Sequence, residues 1–432
     1  FASGLALELG YEHYAHRGGL KLGSGGEKGF ADWSSSLFTA SLSVDLGAAR
    51  AQREAANGDA GDSANAGPPI PAGLDLAHML DQHGAFAFNL AYSDEGTRDR
   101  LRLHGDPVGV NVLSSDACDG APCPLAPTAA SRRTTILELL YAPADWLTLA
   151  AVPHLVDNRV ALRTQSPVFI PFGLIGPRPT GPDGSGHHQS GGLGDTSFAG
   201  LFRLLETETQ HAHVAIGISA PTGSTHVRLN MKSDFASYAL QRGSGTWDFM
   251  PSLYYSAVHG PISGGAQVAG VKRLEHRNGS GYRLGDRLHA SAWAGVSPLA
   301  WLGVTARLAY RWEGRIHGGF EAHLERNVPE LEEVPADYDA NGDGVIDGND
   351  TEFVTVYRDE MQTHVISSTD DIAANHGGSE WTAGIGVTAT VPSGALKGDT
   401  LNLEWMEPIH ASLNGYQLKP GRTLALRMTM NL

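Results

Sequence analysis

The sequence predicts an all-β chain: an antiparallel transmembrane β-barrel of 12–14 strands with short periplasmic turns and long extracellular loops. Three observations carry that expectation. Segments of period-two alternation recur along the whole chain. Short and long connections alternate between them, as in outer-membrane barrels. No run approaches the ~18 apolar residues of a spanning helix, and alternating strands escape such a search. The last eleven residues show the pattern most cleanly. Leu424, Leu426, Met428, Met430 and Leu432 fall on one face of an extended strand, with Thr423, Ala425, Arg427, Thr429 and Asn431 on the other. Side chains of a strand alternate sides, so one face is wholly apolar and its reverse polar. In a membrane barrel the first meets lipid and the second meets water.

The elements follow in order. Leu5, Leu7, Leu9 and Tyr11 alternate with polar or small residues, as do Phe38, Ala40, Leu42, Val44 and Leu46. Residues 1–47 therefore form an N-terminal hairpin, expected to supply strands 1 and 2 of the barrel; alternatively the barrel has twelve strands and the hairpin packs elsewhere. Residues 48–75 are rich in Ala, Gly, Asn and Asp and contain Pro68-Pro69, the composition of a flexible linker. It would lie in the periplasm or tuck into the lumen. Residues 76–432 form the main barrel. Its strands begin with Phe86, Phe88, Leu90 and Tyr92, then span about 132–141 and 146–163, and flank the turn at Glu206–Gln210. They continue at about 245–258, 262–275, 282–296, 301–315, 380–392, 399–407 and 421–432. The short connections include Pro143-Ala-Asp, His259-Gly-Pro261 and Ser297-Pro-Leu-Ala300; the long ones cover about 97–131, 166–191, 221–244 and 316–378. Trp146, Trp301, Trp381 and Trp405 fall near strand ends, where an interfacial girdle needs amphipathic rings.

Composition narrows the function. The formal net charge of −16 argues against a nucleic-acid partner. No signal peptide precedes Phe1, so the expectation is a processed, mature chain in the bacterial outer membrane. The two cysteines, Cys118 and Cys123, bracket Asp-Gly-Ala-Pro and suit a small disulfide ring in an oxidising compartment.

Several segments from about Leu74 to Leu432 carry a family likeness. They are Arg133-Thr-Thr-Ile-Leu-Glu-Leu-Leu-Tyr-Ala-Pro-Ala-Asp-Trp-Leu147, Gly192-Leu-Gly-Asp195, Leu201-Phe-Arg-Leu204, His211-Ala-His213, Pro221-Thr-Gly-Ser224, Gly243-Ser-Gly-Thr-Trp-Asp248, Tyr282-Arg-Leu-Gly-Asp-Arg287 and Gly394-Ala-Leu-Lys-Gly398. In this order they resemble the bacterial family labelled "MetA-pathway of phenol degradation". The resemblance implies an outer-membrane, transporter-like barrel, and the label implies uptake of aromatic substrates. The N-terminal hairpin and an insert near 330–360 lie outside it.

That insert holds the sharpest local motif, Asp339-Ala-Asn-Gly-Asp-Gly-Val-Ile-Asp-Gly-Asn-Asp350. It matches the twelve-residue calcium loop. Asp339, Asn341 and Asp343 stand at positions 1, 3 and 5, Val345 offers a carbonyl at 7, Asp347 stands at 9 and Asp350 at 12. Gly344 at position 6 permits the sharp turn. Bound Ca2+ would rigidify the loop.

The predicted lumen is charged. Arg283, Arg287 and His289 share the inner face of one strand, and Arg307, Arg311 and Glu313 that of the next. Glu138, Arg203, Asp248 and Glu404 join from others. Such a wall either tunes selectivity in a channel or forms ion pairs that fill a closed lumen. His211 and His213, two apart on a strand, could chelate a transition metal, although surface histidines are the commoner case. Nucleophile-elbow, zincin and P-loop motifs are missing, so no catalytic residue is assigned. The expectation is a porin-like channel for small solutes, embedded in outer-membrane lipid. The alternative is a closed barrel that docks a surface protein or filament through its outer loops.

Overall fold

Strands that alternate apolar and polar residues cannot leave backbone N–H and C=O groups unpaired in lipid; closing the sheet removes both edges. The computed structural model of the chain shows that solution. It describes residues 5–16, 33–44, 69–104, 106–108, 117–164, 185–228, 235–340, 344–348, 350–362, 364, 366–393 and 396–431. In chain order the strands are β1 (Leu5–His16), β2 (Trp33–Val44), β3 (Phe86–Leu103), β4 (Asp106–Pro107), β5 (Leu125–Ala144), β6 (Leu147–Thr164), β7 (Ser185–Glu206) and β8 (Gln210–Ala220). There follow β9 (Asp248–His259), β10 (Ile262–Arg273), β11 (Tyr282–Arg283), β12 (Arg287–Leu299), β13 (Leu302–Glu313) and β14 (His317–Gly318). The last are β15 (His323–Pro335), β16 (Thr351–Gln362), β17 (Gly378–Thr390), β18 (Thr400–Leu413) and β19 (Tyr416–Asn431).

Twelve long strands form the barrel: β3, β5 to β10, β12, β13 and β17 to β19, each antiparallel to its neighbours. The barrel closes where β19 pairs with β3, from Tyr416↔Leu103 to Asn431↔Ala87. With those edges used on each other, the N-terminal hairpin supplies no barrel strand. Instead, β1 and β2 pair together as a separate two-stranded sheet, which corrects the expectation that they are strands 1 and 2. The hairpins β1–β2 and β15–β16 belong to one compact unit, and the barrel to the other.

Short connections gather at one end of the barrel, at 145–146, 207–209, 260–261 and 300–301. Long ones gather at the other, except for the tight Asn414-Gly415 turn between β18 and β19, where Gly415 takes φ +55°. The strand expected over 282–296 starts only at Arg287, because Tyr282 and Arg283 pair instead with Gly318 and His317. Gly285 packs so closely on Gly314 that a Cβ there would lie 1.9 Å from the Gly314 carbonyl oxygen.

The outer face is apolar. Leu90, Leu149, Phe198, Ile216, Leu253, Val268, Leu308, Ile385, Leu403 and Leu426 are all exposed. A belt of that extent around a closed sheet is stable only in lipid. Exposed Trp146 and Trp301 mark the short-turn end, and Trp312 and Trp381 stand toward the loop end. The terminal strand keeps its expected faces: Leu424 and Leu426 are exposed, whereas Ala425, Arg427 and Thr429 are buried. Among the described residues no helix is long and apolar enough to cross a membrane. The even-numbered closed barrel, its lipid belt and its short-turn end define an outer-membrane β-barrel, with the short turns periplasmic.

Candidate functional site

Residues 69–83 run through the barrel interior near its periplasmic end. This irregular stretch, with turns at 72–73 and 75–76, has no strand beside it, so inward side chains must satisfy its backbone. Pro69 sits against β12 and β13, where a Cβ on Gly303 would lie 2.5 Å away. Arg427 on β19 donates from Nε to the Ala72 carbonyl (3.0 Å) and from Nη2 to that of Leu74 (2.6 Å). Glu404 accepts from the Gly73 N–H at 2.9 Å, and Arg307 donates to the Gly73 carbonyl at 3.3 Å. Gln267 donates to the Asp75 carbonyl at 2.7 Å, and His213 lies 2.9 Å from that of Leu76. Leu80 N–H donates to Thr148 at 3.1 Å, while Arg203 donates to the Leu80 carbonyl at 2.9 Å. Finally His83 N–H donates to Asp145 in the turn after β5 at 2.7 Å. Leu76 and Leu80 bury themselves against Leu140, Val152 and Leu201 of the inner wall; Leu74 packs with Tyr254 and Trp293.

The gripping groups are themselves locked. Arg307 binds Glu404 through two bonds, 2.7 and 2.9 Å, and Arg427 donates to Glu138 at 2.7 Å. Asn89 also donates to Glu138, at 2.8 Å. These pairs are almost wholly buried: side-chain exposure is 7% and 0% for the first, 7% and 1% for the second.

Beyond this layer the wall changes character. Arg287 donates to Glu313 at 3.0 Å, and Arg311 reaches Glu95 and Glu380 at 3.3 Å each. All project inward, yet Arg287 keeps 40% of its side-chain surface accessible, Arg311 45% and Glu95 43%. Inward charges that keep this much accessible surface are not sealed by packed chain, so the lumen is open at this level. The Arg311–Glu95 pair spans it, because β13 and β3 are not neighbours in the sheet.

At the loop end, chain folds onto the inner wall. Asp195 on β7 accepts from the N–H groups of Gly223 (3.0 Å) and Ser244 (2.7 Å). Ser244 and Thr246 donate to Asp248, which pairs with Arg273. Gly223 and Gly243 touch backbone to backbone; a Cβ on either would lie 2.7 Å from the other. Thus three of the sequence segments that carried the family likeness, around Asp195, Gly223 and Gly243, meet in one anchoring node. Tyr238, Tyr282 and Ile316 then form a buried cluster with Phe320 against it. Burial pushes the Tyr238 hydroxyl up to about 12. Asp370, in a 3₁₀ turn, rises to about 7 through burial and the adjacent Asp371. Burial pushes His376 below its usual range.

The predicted lumen residues thus divide. Glu138, Arg203, Arg307 and Glu404 hold the inner segment. Arg287, His289 and Arg311 stand on the inward face of the chamber wall. Arg283 lies on β11, outside the barrel sheet. Arg427 was not assigned to the lumen set, although the polar face of the last strand displayed it. The inner segment's bonds to His213 and Gln267 had no sequence signal, because a backbone carbonyl partner leaves none. Cys118 and Cys123 are disulfide-bonded, with Cα atoms 5.1 Å apart.

The calcium motif occupies the tip of the β15–β16 hairpin, within the connection joining the long-loop ends of β13 and β17. Asp339 accepts from the Gly344 N–H at 2.8 Å, and Gly344 takes φ +87°. Asp350 is fully buried and accepts from Ala340 and Asp347 N–H groups at 2.8 and 2.9 Å. The bond thus runs from position 6 of the motif to position 1, and its glycine is left-handed. Asn341 and Asp343 lie outside the described residues. Among the described residues no group of three or more His, Cys, Asp or Glu converges.

No protein-family model matches the chain, and no curated protein does. Solved structures resemble it at low identity. An outer membrane channel from Pseudomonas putida F1 is 13% identical over 84% of this chain and 100% of its own, with a TM-score of 0.46. The β-domain of the Bordetella autotransporter BrkA is 11% identical over 81% and 100%, with a TM-score of 0.37. A Pseudomonas aeruginosa FadL homologue is 10% identical over 85% and 96%, with a TM-score of 0.33. At these scores the likeness adds no argument to the barrel's own geometry.

Proposed function

We propose that this chain is an outer-membrane channel for small solutes, closed toward the periplasm by its own residues 69–83. The observation that carries the reading is the contrast along one wall. Arg287, Arg311 and Glu95 are wet, whereas Arg307, Glu404, Arg427 and Glu138 are buried around the inner segment. A barrel built only to be solid would gain nothing from hydrated ion pairs at mid-wall, because exposed pairs contribute ~0–1 kcal/mol. The sequence likeness over about 74–432 supports a transporter-like role.

The same proposal assigns Ca2+ to the hairpin loop, with Asp339, Asn341, Asp343, Asp347 and Asp350 as side-chain ligands and Val345 as a carbonyl ligand. The ion would hold the tip of β15–β16 rigid. A second reading, a closed barrel docking a surface partner, is favoured by one feature: Phe353, Tyr357 and Met361 on β16 are all more than half exposed.

Planar-bilayer recordings of the folded protein, with and without Ca2+, test both readings. Steps in current, small or infrequent in the native protein, support the channel; a folded protein that stays silent even as Gly303→Val overturns it and favours docking. Terbium luminescence supports the ion site if it appears with the native loop and is lost in Asp339→Ala. Equal luminescence in both proteins contradicts it.

A further inference from the structure

Among the described residues, one cation on the inner wall has no direct hydrogen-bond or ion-pair partner. Arg132 is exposed and shares the inward face of β5 with Glu138. Among the described residues it makes no hydrogen bond and no ion pair. Its cross-strand neighbour on β3 is Glu95, and opposite charges so placed normally pair. Here Glu95 accepts instead from Arg311, across the lumen, at 3.3 Å. Arg311 already has a second carboxylate in Glu380, also at 3.3 Å. Arg132 is within electrostatic reach of the Arg287 cation and of the carboxylates of Glu95, Glu313 and Asp195, but makes a direct ion pair with none of them. The adjacent Arg133, on the outer face of the same strand, has two carboxylate partners, Asp94 and Asp157. An open cation inside the chamber therefore contrasts with a saturated one just outside it.

We infer that Arg132 is a docking point for the carboxylate of a small organic anion in transit. The inference rests on the channel reading for the words "in transit"; the docking itself needs only the chamber. A guanidinium offers a planar fork of donors that fits a carboxylate, and such charge-assisted bonds are the stronger class. The wet chamber admits the anion without the cost of burying a bare charge. Binding there leaves the Arg311–Glu95 and Arg287–Glu313 pairs in place.

The probe is acetate, with uncharged acetamide as its control. Saturation-transfer NMR on the detergent-folded protein reads binding, and reversal potentials in the bilayer read anion preference. The variants are Arg132→Gln and, as a matched control, Arg133→Gln. Acetate should receive saturation from the wild type and from Arg133→Gln. Its binding should weaken about tenfold in Arg132→Gln, the size expected for one lost charge-assisted bond. Acetamide should receive little from any of the three. Equal acetate binding in all three proteins, or none in the wild type, overturns the site. If acetate binds the wild type through Arg132 but no current flows, the docking point stands and the channel reading fails. If current flows with an anion preference untouched by Arg132→Gln and no acetate binding, the channel stands and the site fails.

Discussion

Arg427 shows how one side chain serves two structures at once. It ties Glu138, a barrel-wall acid, to the carbonyls of Ala72 and Leu74 on the inner segment. Removing one member of a buried ion pair leaves the other charged and unpaired, at a cost of about 3–5 kcal/mol, whereas replacing both by apolar groups is often neutral. Arg427→Ala should therefore destabilise the fold by about that amount, and Arg427→Met with Glu138→Met should recover most of it. Denaturant unfolding in detergent checks the order; equal loss in both variants would show that the backbone grip, not the charge pair, dominates. At this scale the sequence was half legible. Alternation placed Glu138, Arg307 and Glu404 on the polar faces of their strands, and all three are buried. It could not tell a charge facing water from one facing a carbonyl, because the partner is main chain.

Two elements, the inner segment and the loops packed against the inner wall at the outer end, occupy the barrel's interior. The inner segment was legible only as composition: Pro68-Pro69 and the small residues before it resemble a linker, and a linker's path depends on what it meets. It meets a glycine. Gly303 leaves room for Pro69 that any side chain would fill. Gly303→Val should displace the start of the segment and make the bonds after residues 69–83 more susceptible to limited proteolysis, with the barrel still folded. Unchanged cleavage would mean that the later contacts alone hold it. The outer loops respond to pH through Asp370. Its carboxyl rises to about 7 in the fold, so its contribution is full below the ordinary carboxylate range and is lost as pH climbs through about 7. His376 acts in the opposite sense: its lowered value costs stability as pH falls below its usual range. Hydrogen-exchange protection of residues 366–377, taken relative to the intrinsic rate at each pH, should fall on the alkaline side of about pH 7, and Asp370→Asn should abolish that fall alone. An identical alkaline fall in Asp370→Asn would assign it to another group. The glycine motifs around Asp195, Gly223 and Gly243 were visible in the sequence as a likeness. Their role as a close-packed node needed the fold.

For the whole molecule, face alternation and the rhythm of short and long connections made the barrel legible. Both are direct consequences of a lipid outer face and a closed sheet. The strand count was not fixed by the same signals. A hairpin that alternates like a barrel strand can pair with itself, as β1 and β2 do, and only the β19–β3 closure decides. The proposed channel is an open lumen closed toward the periplasm by the chain's own residues. Single-channel recording of the full-length protein beside Gly303→Val tests it most directly. The account predicts small or infrequent current steps in the native protein and larger or more frequent ones in the variant. Silence from both, with each protein shown to be folded in the bilayer, would contradict it.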